Sequence, residues 1–247
     1  MDLGLAGKVF LVTGGSRGLG RAGAEALRAE GARVVLSART ADAVDEAAQA
    51  LDCVGVAGDL ADPATPERLV AQALSAYGRL DGALISVGGP PAGPSLALTD
   101  EQWQGAFDSV FLGAVRLVRV VVPALPAEGG ALAFVLSTSV KTPIGGLAAS
   151  NGLRPGLAML AKTMADELGP QGVRVNGLLP GRILTDRIRE LDGDDPAVRA
   201  RAVAEIPLRR YGEPVEFGRV AAFLLSPAAS FLTGAMVPVD GGAMRAL

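Results

Sequence analysis

The chain has 247 residues, 49% hydrophobic and only 4% aromatic, with 33 glycines, which describes a packed globular protein with a Val, Leu and Ala core and many tight turns. Its net charge of -3 supplies no basic stripe for nucleic acid and no attraction to an anionic membrane. One cysteine, Cys53, excludes an internal disulfide, and the absence of histidine removes the commonest zinc ligand and general base, so no metal site is expected and proton chemistry falls to Ser, Tyr, Lys, a carboxylate or water.

Short apolar runs alternate with Ala-rich amphipathic stretches along the whole chain. In order, the pattern predicts a strand at Val9–Thr13, a helix at Leu19–Ala29, a strand at Arg33–Ser37 and a helix at Asp42–Leu51. A strand at Val54–Ala57, a helix at Glu67–Tyr77, a strand at Ala83–Ser86 and a long helix at Glu101–Val122 follow. The last third reads as strand Ala131–Leu136, helix Leu157–Leu168, strand Val173–Leu178, helix Val215–Leu225 and strand Ala235–Val239. Near-continuous apolar strands fit a parallel sheet buried on both faces, and βαβα alternation gives an α/β, doubly wound fold in a single domain.

Gly88–Pro94 and the charged stretch Arg182–Arg210 are left as the two long irregular segments, each after a strand's carboxyl end, where open α/β sheets bind ligands. The second is the better substrate lid, because Gly193-Asp194-Asp195-Pro196 reads as flexible. The uncharged run Val220–Val239 contains Pro227, Gly234 and Pro238 and is no membrane span. No secretory pattern stands at the start, so a cytoplasmic setting is expected. The Phe107–Val122 stretch is apolar almost all round except Arg116 and Arg119, so a partner helix of a second copy is expected on its outer face.

The first strand runs into Thr13-Gly14-Gly15-Ser16-Arg17-Gly18-Leu19-Gly20 and then a helix. Glycines there allow a tight turn and close backbone approach, and the helix N-terminus adds partial positive charge, which suits the pyrophosphate of a dinucleotide. Arg21-Ala22 stands where a nucleoside-triphosphate loop requires Lys-Ser/Thr, which argues against that alternative. A site choosing a free ribose places an acid at the end of the second strand; here that end reads Ser37-Ala38-Arg39. Arg39 and Arg17 offer guanidinium groups to a 2′-phosphate instead, which favours NADP(H) over NAD(H).

These residues resemble the short-chain dehydrogenase/reductase family over essentially the whole chain. Thr13–Gly20 is similar to its Thr-Gly-x-x-x-Gly-x-Gly turn, with Gly14, Ser16, Arg17, Gly18, Leu19 and Gly20 at the cofactor. Asp59-Leu60 resembles the pair that meets the adenine, and Gly88 ends the counterpart of the Asn-Asn-Ala-Gly run. Val173–Asn176 followed by Pro180-Gly181-Arg182-Ile183-Leu184-Thr185 resembles the strand and Pro-Gly turn that hold the nicotinamide, so Pro180, Gly181 and Ile183 join the cofactor set. Ile206–Pro214 and Phe231–Gly242 resemble the C-terminal signatures. The resemblance implies a Rossmann-type seven-stranded sheet with helices on both faces, and usually a tetramer.

The catalytic pattern departs from the family. Counting back from Asn176, its Tyr-x-x-x-Lys pair falls on Ser150 and Arg154, and its fourth-helix asparagine is Val110. The family serine lands on Ser137, or on Ser139 if the loop is two residues shorter. A serine hydroxyl lacks the acidity of a lysine-tuned tyrosine, and arginine does not deprotonate. Lys141, Tyr211 or an ordered water is left to carry the proton, Tyr77 being read as a helix-end packing residue. The motifs point to an NADP(H)-dependent oxidoreductase acting between carbonyl and alcohol on a small molecule, with a catalytically degenerate NADP(H)-binding or regulatory protein as the alternative. Pro155 opposes a regular helix at Ser150–Arg154, so the helix there is expected to begin near Leu153 or to kink.

Overall fold

In the computed structural model, which describes residues 2–193 and 195–245, seven strands form one parallel sheet. They are β1 (Val9–Thr13), β2 (Arg33–Ala38), β3 (Val54–Ala57), β4 (Gly82–Ser86), β5 (Ala131–Val135), β6 (Arg174–Pro180) and β7 (Met236–Val239), in the spatial order β3-β2-β1-β4-β5-β6-β7. The order reverses between β1 and β4, which opens a crevice at their carboxyl ends.

Helices α1 (Gly18–Ala29), α2 (Ala41–Ala50) and α9 (Pro214–Leu225) cover one face, where Phe10, Leu27, Val44 and Phe217 form a core. On the opposite face α3 (Thr65–Tyr77), α4 (Asp100–Ala106), α5 (Gly113–Val121) and α6 (Ala148–Leu168) enclose a second core around Leu69, Leu117, Phe134 and Leu157. The two remaining helices, α7 (Asp186–Asp192) and α8 (Pro196–Glu205), stand over the carboxyl edge beyond β6. No helix among the described residues is long and apolar enough to cross a membrane.

Three expectations are corrected. The stretch Glu101–Val122 is not one α-helix: a π-helical turn, Phe107–Leu112, separates α4 from α5. At its entry Ser109 Oγ donates to the Gly105 carbonyl at 2.8 Å, replacing a backbone donor. Helix α6 starts at Ala148, nine residues before Leu157, and continues past Pro155. The cost of that proline is offset by tertiary bonds. Asn151 clasps the Ile144 peptide, accepting its N–H at 3.0 Å and donating to its carbonyl at 2.8 Å.

Residues 182–211 are not irregular either, since they hold α7 and α8. Their base is zipped by the Leu184 N–H to the Gly212 carbonyl (2.8 Å) and the Gly212 N–H to the Arg182 carbonyl (3.0 Å). The carboxylate of Asp192 joins Arg182 to the Tyr211 hydroxyl, the latter at 2.6 Å. Of the Gly193–Pro196 link expected to be flexible, Asp194 lies outside the described residues.

Asp81, just before β4, ties the sheet together. It accepts the Val9 N–H at 2.8 Å, Arg79 at 2.9 and 2.6 Å, and Lys8 at 3.5 Å. Burial pushes its pKa up, but the Arg79 bonds, the Val9 N–H and the two neighbouring cations outweigh that, and the net displacement is downward. A folded-state value below the unfolded one adds stability above the unfolded pKa of about 4 and loses it as pH falls through the folded value. Asp81→Asn is expected to cost about 1–3 kcal/mol at pH 7 and much less at pH 3. Urea unfolding at the two pH values reads the difference.

Candidate active site

The turn between β1 and α1 is built by glycines that cannot be exchanged. Gly14 and Gly18 have φ of +59° and +58°, in the left-handed region that L side chains avoid. A Cβ on Gly20 would overlap the Gly14 carbonyl, and one on Gly15 would stand 2.9 Å from the Leu36 Cβ. Helix α1 is thereby pressed against the turn, and no side chain caps it. Its first N–H groups, at Gly18 and Leu19, are therefore left for an anion in the crevice. Thr13 fixes the far wall: its hydroxyl accepts the Ser86 N–H at 2.9 Å and donates to the Ser86 carbonyl at 3.1 Å. The geometry fits a pyrophosphate, with Ser16 half-buried beside it.

Arg17 and Arg39 are both exposed at the carboxyl edge, and the pairing of Thr13 with Ser37 places their two strands in register there. Asp59 uses its carboxylate to accept the Ala61 N–H at 2.9 Å. Leu60 is buried, its carbonyl and Cβ packed against Gly113. Pro180 ends β6, and Gly181 packs on Asp240 with its N–H on the Val239 carbonyl at 3.0 Å. Ile183 is buried, and the chain then curls until Thr185 stands over Gly18. Thr185 thus ends the segment that resembles the nicotinamide-holding turn at this crevice, whereas Arg187 is a residue there that the sequence does not single out. Only the turn-back after Pro180-Gly181 signals it. Arg187 lies over Gly89 and donates to the Pro90 carbonyl at 3.3 Å.

The hydroxyl-bearing side of the crevice comes from the end of β5 and the start of α6. Ser137 caps the short turn that follows β5, its Oγ accepting the Ser139 N–H at 3.1 Å. Ser139 is the serine that meets Ser150: their Oγ atoms are 3.2 Å apart, and both residues are about 95% buried. Of the two alternatives, the shorter loop therefore puts Ser139 at the pair. Lys141 is exposed beyond the turn, not in a dry pocket. Tyr77 packs at the edge of a core, and Tyr211 gives its hydroxyl to Asp192. Burial and that carboxylate raise the Tyr211 pKa, the wrong direction for an acid.

Arg154, one helical turn beyond Ser150, is 7% exposed. It donates to the Val135 carbonyl at 2.9 Å and the Leu136 carbonyl at 2.8 Å, and reaches the Gly88 carbonyl at 3.4 Å. It joins the ends of β4 and β5 to α6. No carboxylate pairs with it among the described residues, and burial, then the like charge of Arg187, bring its pKa down to about 10. Val110 is buried in the core of that face. At Ala148 and Asn151, a cavity of about 470 Å³ opens between Gly93–Ser95 and Pro143–Gly146, loops joined by the Gly93 N–H to the Gly146 carbonyl at 2.6 Å. No charged side chain lines it.

The arrangement can cradle a dinucleotide, hold an oxygen atom by hydroxyl donors and place positive charge behind it. A family model described as enoyl-(acyl carrier protein) reductase matches residues 14–244. An uncharacterized oxidoreductase of Mycobacterium tuberculosis is 36% identical over 95% of this chain and 91% of its own length. Dehydrogenase/reductase SDR family member 4 of Oryctolagus cuniculus is 34% identical, covering 97% and 94%. Among solved structures, L-sorbose reductase from Gluconobacter frateurii complexed with NADPH and L-sorbose superposes with a TM-score of 0.94 at 33% identity, over 100% of both chains.

Proposed function

The chain belongs to the short-chain dehydrogenase/reductase family of oxidoreductases, and from that premise we propose that it interconverts a carbonyl and an alcohol on a small, uncharged substrate with NADP(H). The observation that carries this reading is the uncapped N-terminus of α1, closed against Gly14 by residues that tolerate no side chain. Gly14, Ser16, Gly18, Leu19 and Gly20 would hold the pyrophosphate, Asp59 and Leu60 the adenine, and Gly88, Pro180, Gly181 and Ile183 the nicotinamide half. Bound there, the cofactor supplies a hydride or accepts one.

The remaining work is the chain's own. Ser139 and Ser150 would hold the substrate oxygen. Arg154 would fix the Gly88 loop and reach a ribose hydroxyl, and Ser137 would shape the turn. A water at the serine pair, not Lys141, would carry the proton. Residues 182–211 would act as a lid, zipped at its base so that α7 and α8 move together.

Arg17 and Arg39 would hold a 2′-phosphate, and this sets the experiment. Nicotinamide fluorescence should show NADPH bound at least about tenfold tighter than NADH. Arg17→Ala and Arg39→Ala should each weaken NADPH by about tenfold and leave NADH within about twofold, the effect of one charge-assisted bond. Failure to bind either coenzyme at millimolar concentration would end the reading.

A catalytically silent NADP(H)-binding or regulatory protein is the second reading, favoured by the engagement of Arg154 with backbone carbonyls. Intact NADPH binding with no turnover of any ketone, alcohol or alkene would select it. We further place the protein in the cytoplasm; we also pair the face formed by its π-helical turn and α6 with a second copy, since Phe107, stacked on Phe111 at 5.3 Å, and Met159 are exposed there.

A further inference from the structure

We infer that Arg116 is a positioning residue for the coenzyme: it holds the loop that follows β3 where that loop meets the adenosine half, in a register set by the π-helical turn before α5. The inference rests on the reading of Asp59 and Leu60 as the adenine pair.

Beyond β3 the chain ties mostly to itself. The Gly58 N–H still bonds the Ala38 carbonyl of β2 at 2.9 Å. The Asp59 carboxylate then accepts the Ala61 N–H at 2.9 Å and its carbonyl accepts the Asp62 N–H at 3.0 Å. The Asp62 carboxylate accepts the Ala64 N–H at 3.0 Å. Turns of this kind fix the local shape of a loop. They do not fix where the loop stands against the crevice.

Two contacts with α5 do. Gly113 lies so close to Leu60 that a Cβ on it would stand 2.7 Å from the Leu60 carbonyl oxygen. Three residues on, the half-buried Arg116 donates from Nη1 to the Ala61 carbonyl at 3.0 Å. Among the described residues, no side chain of any other element hydrogen-bonds to Asp59, Leu60 or Ala61.

The π-helical turn Phe107–Leu112 aims both residues. Gly113 and Arg116, three apart, share one face of α5. A π-helical turn carries one residue more than an α-helical one, and one residue rotates everything after it by about 100°. With one residue fewer in the turn, Ala114 and Leu117 would take the places of Gly113 and Arg116. A methyl group would then press on the Leu60 carbonyl, and the donor to Ala61 would be gone.

The bond from a guanidinium to a carbonyl is charge-assisted, and a loop ordered before its ligand arrives spares the complex the cost of ordering it. NADPH and NADH share the adenosine half apart from the 2′-phosphate. Loss of Arg116 therefore weakens both alike, whereas loss of Arg17 or Arg39 weakens NADPH alone.

The test titrates the purified full chain with ADP-ribose, NADPH and NADH by calorimetry and follows amide hydrogen exchange in the free protein. ADP-ribose carries the adenosine half without nicotinamide. Arg116→Met keeps an apolar stem and removes the donor. It should weaken all three ligands by about five- to tenfold, the effect of one charge-assisted bond. The amides of residues 60–62 should exchange at least about tenfold faster, while those of residues 14–20 keep the parent's rate. Arg116→Lys, which still carries a charged donor, should recover most of the affinity. Arg119→Met, the same loss of charge on the same helix, should bind like the parent. Parent-like ADP-ribose binding by Arg116→Met overturns the inference, and so does faster exchange in both segments, the mark of general loosening; either result leaves the coenzyme reading standing. A parent chain that binds neither ADP-ribose nor NADPH overturns both.

Discussion

Arg154→Ala should unfold about 10 °C below the parent and lose nearly all turnover. The substitution removes the donor shared by the Val135, Leu136 and Gly88 carbonyls at the meeting of β4, β5 and α6. Each buried acceptor left without a donor costs about 1–3 kcal/mol, and the void adds to that. One term opposes the loss: burying the guanidinium is itself unfavourable, as its depressed pKa shows, and removal returns part of that cost. Three orphaned carbonyls outweigh one relieved charge, so the net is about 3–5 kcal/mol, or roughly 2–4 °C per kcal/mol for a chain of this size. Arg154→Lys keeps the charge but not the planar fork, and should fall between the two. Thermal unfolding followed by circular dichroism, beside the rate with the best substrate, decides the matter; a midpoint within 3 °C of the parent would deny Arg154 its place as a strut.

Gly20→Val should weaken NADPH binding by at least about a hundredfold. Its Cβ would occupy the space of the Gly14 carbonyl, so the first turn of α1 must withdraw from the phosphate turn or the turn must open. Either movement takes the helix N–H groups away from the anion they are aimed at. Gly105 supplies the control, because a Cβ there meets nothing within 4 Å. Gly105→Ala should bind the coenzyme like the parent, and its helical position makes it slightly more stable. Calorimetric titration of both variants gives the comparison.

Much of this is legible in the amino-acid sequence. A strand buried on both faces must be an apolar run, as Val9–Thr13 is, and both it and the half-buried edge strand Val54–Ala57 carry the same limits in sequence and structure. The phosphate turn was equally plain, since only glycine relieves the contacts that Gly14 and Gly20 make. Elements whose stability comes from tertiary bonds were not. The first turns of α6 depend on the Asn151–Ile144 clasp and on Arg154, which no local pattern around Pro155 discloses. Helices α7 and α8 bury few apolar groups apart from Ala202 and its neighbours, so their charged sequence looked like loop. At the site, Ser137 and Ser139 stayed open because loop length decides which faces Ser150, and loop length is set by the fold.

Strand order also sets the order in which the protein can be finished. The N-terminal third already contains β1, β2 and β3 with the phosphate turn, whereas β6 must wait for β7, which binds Gly177–Pro180 along its whole length. A chain leaving the ribosome therefore carries the residues of the phosphate turn long before it carries the strand that walls Pro180 and Gly181. Removing the last dozen residues should leave that wall open while every residue of the phosphate turn is kept.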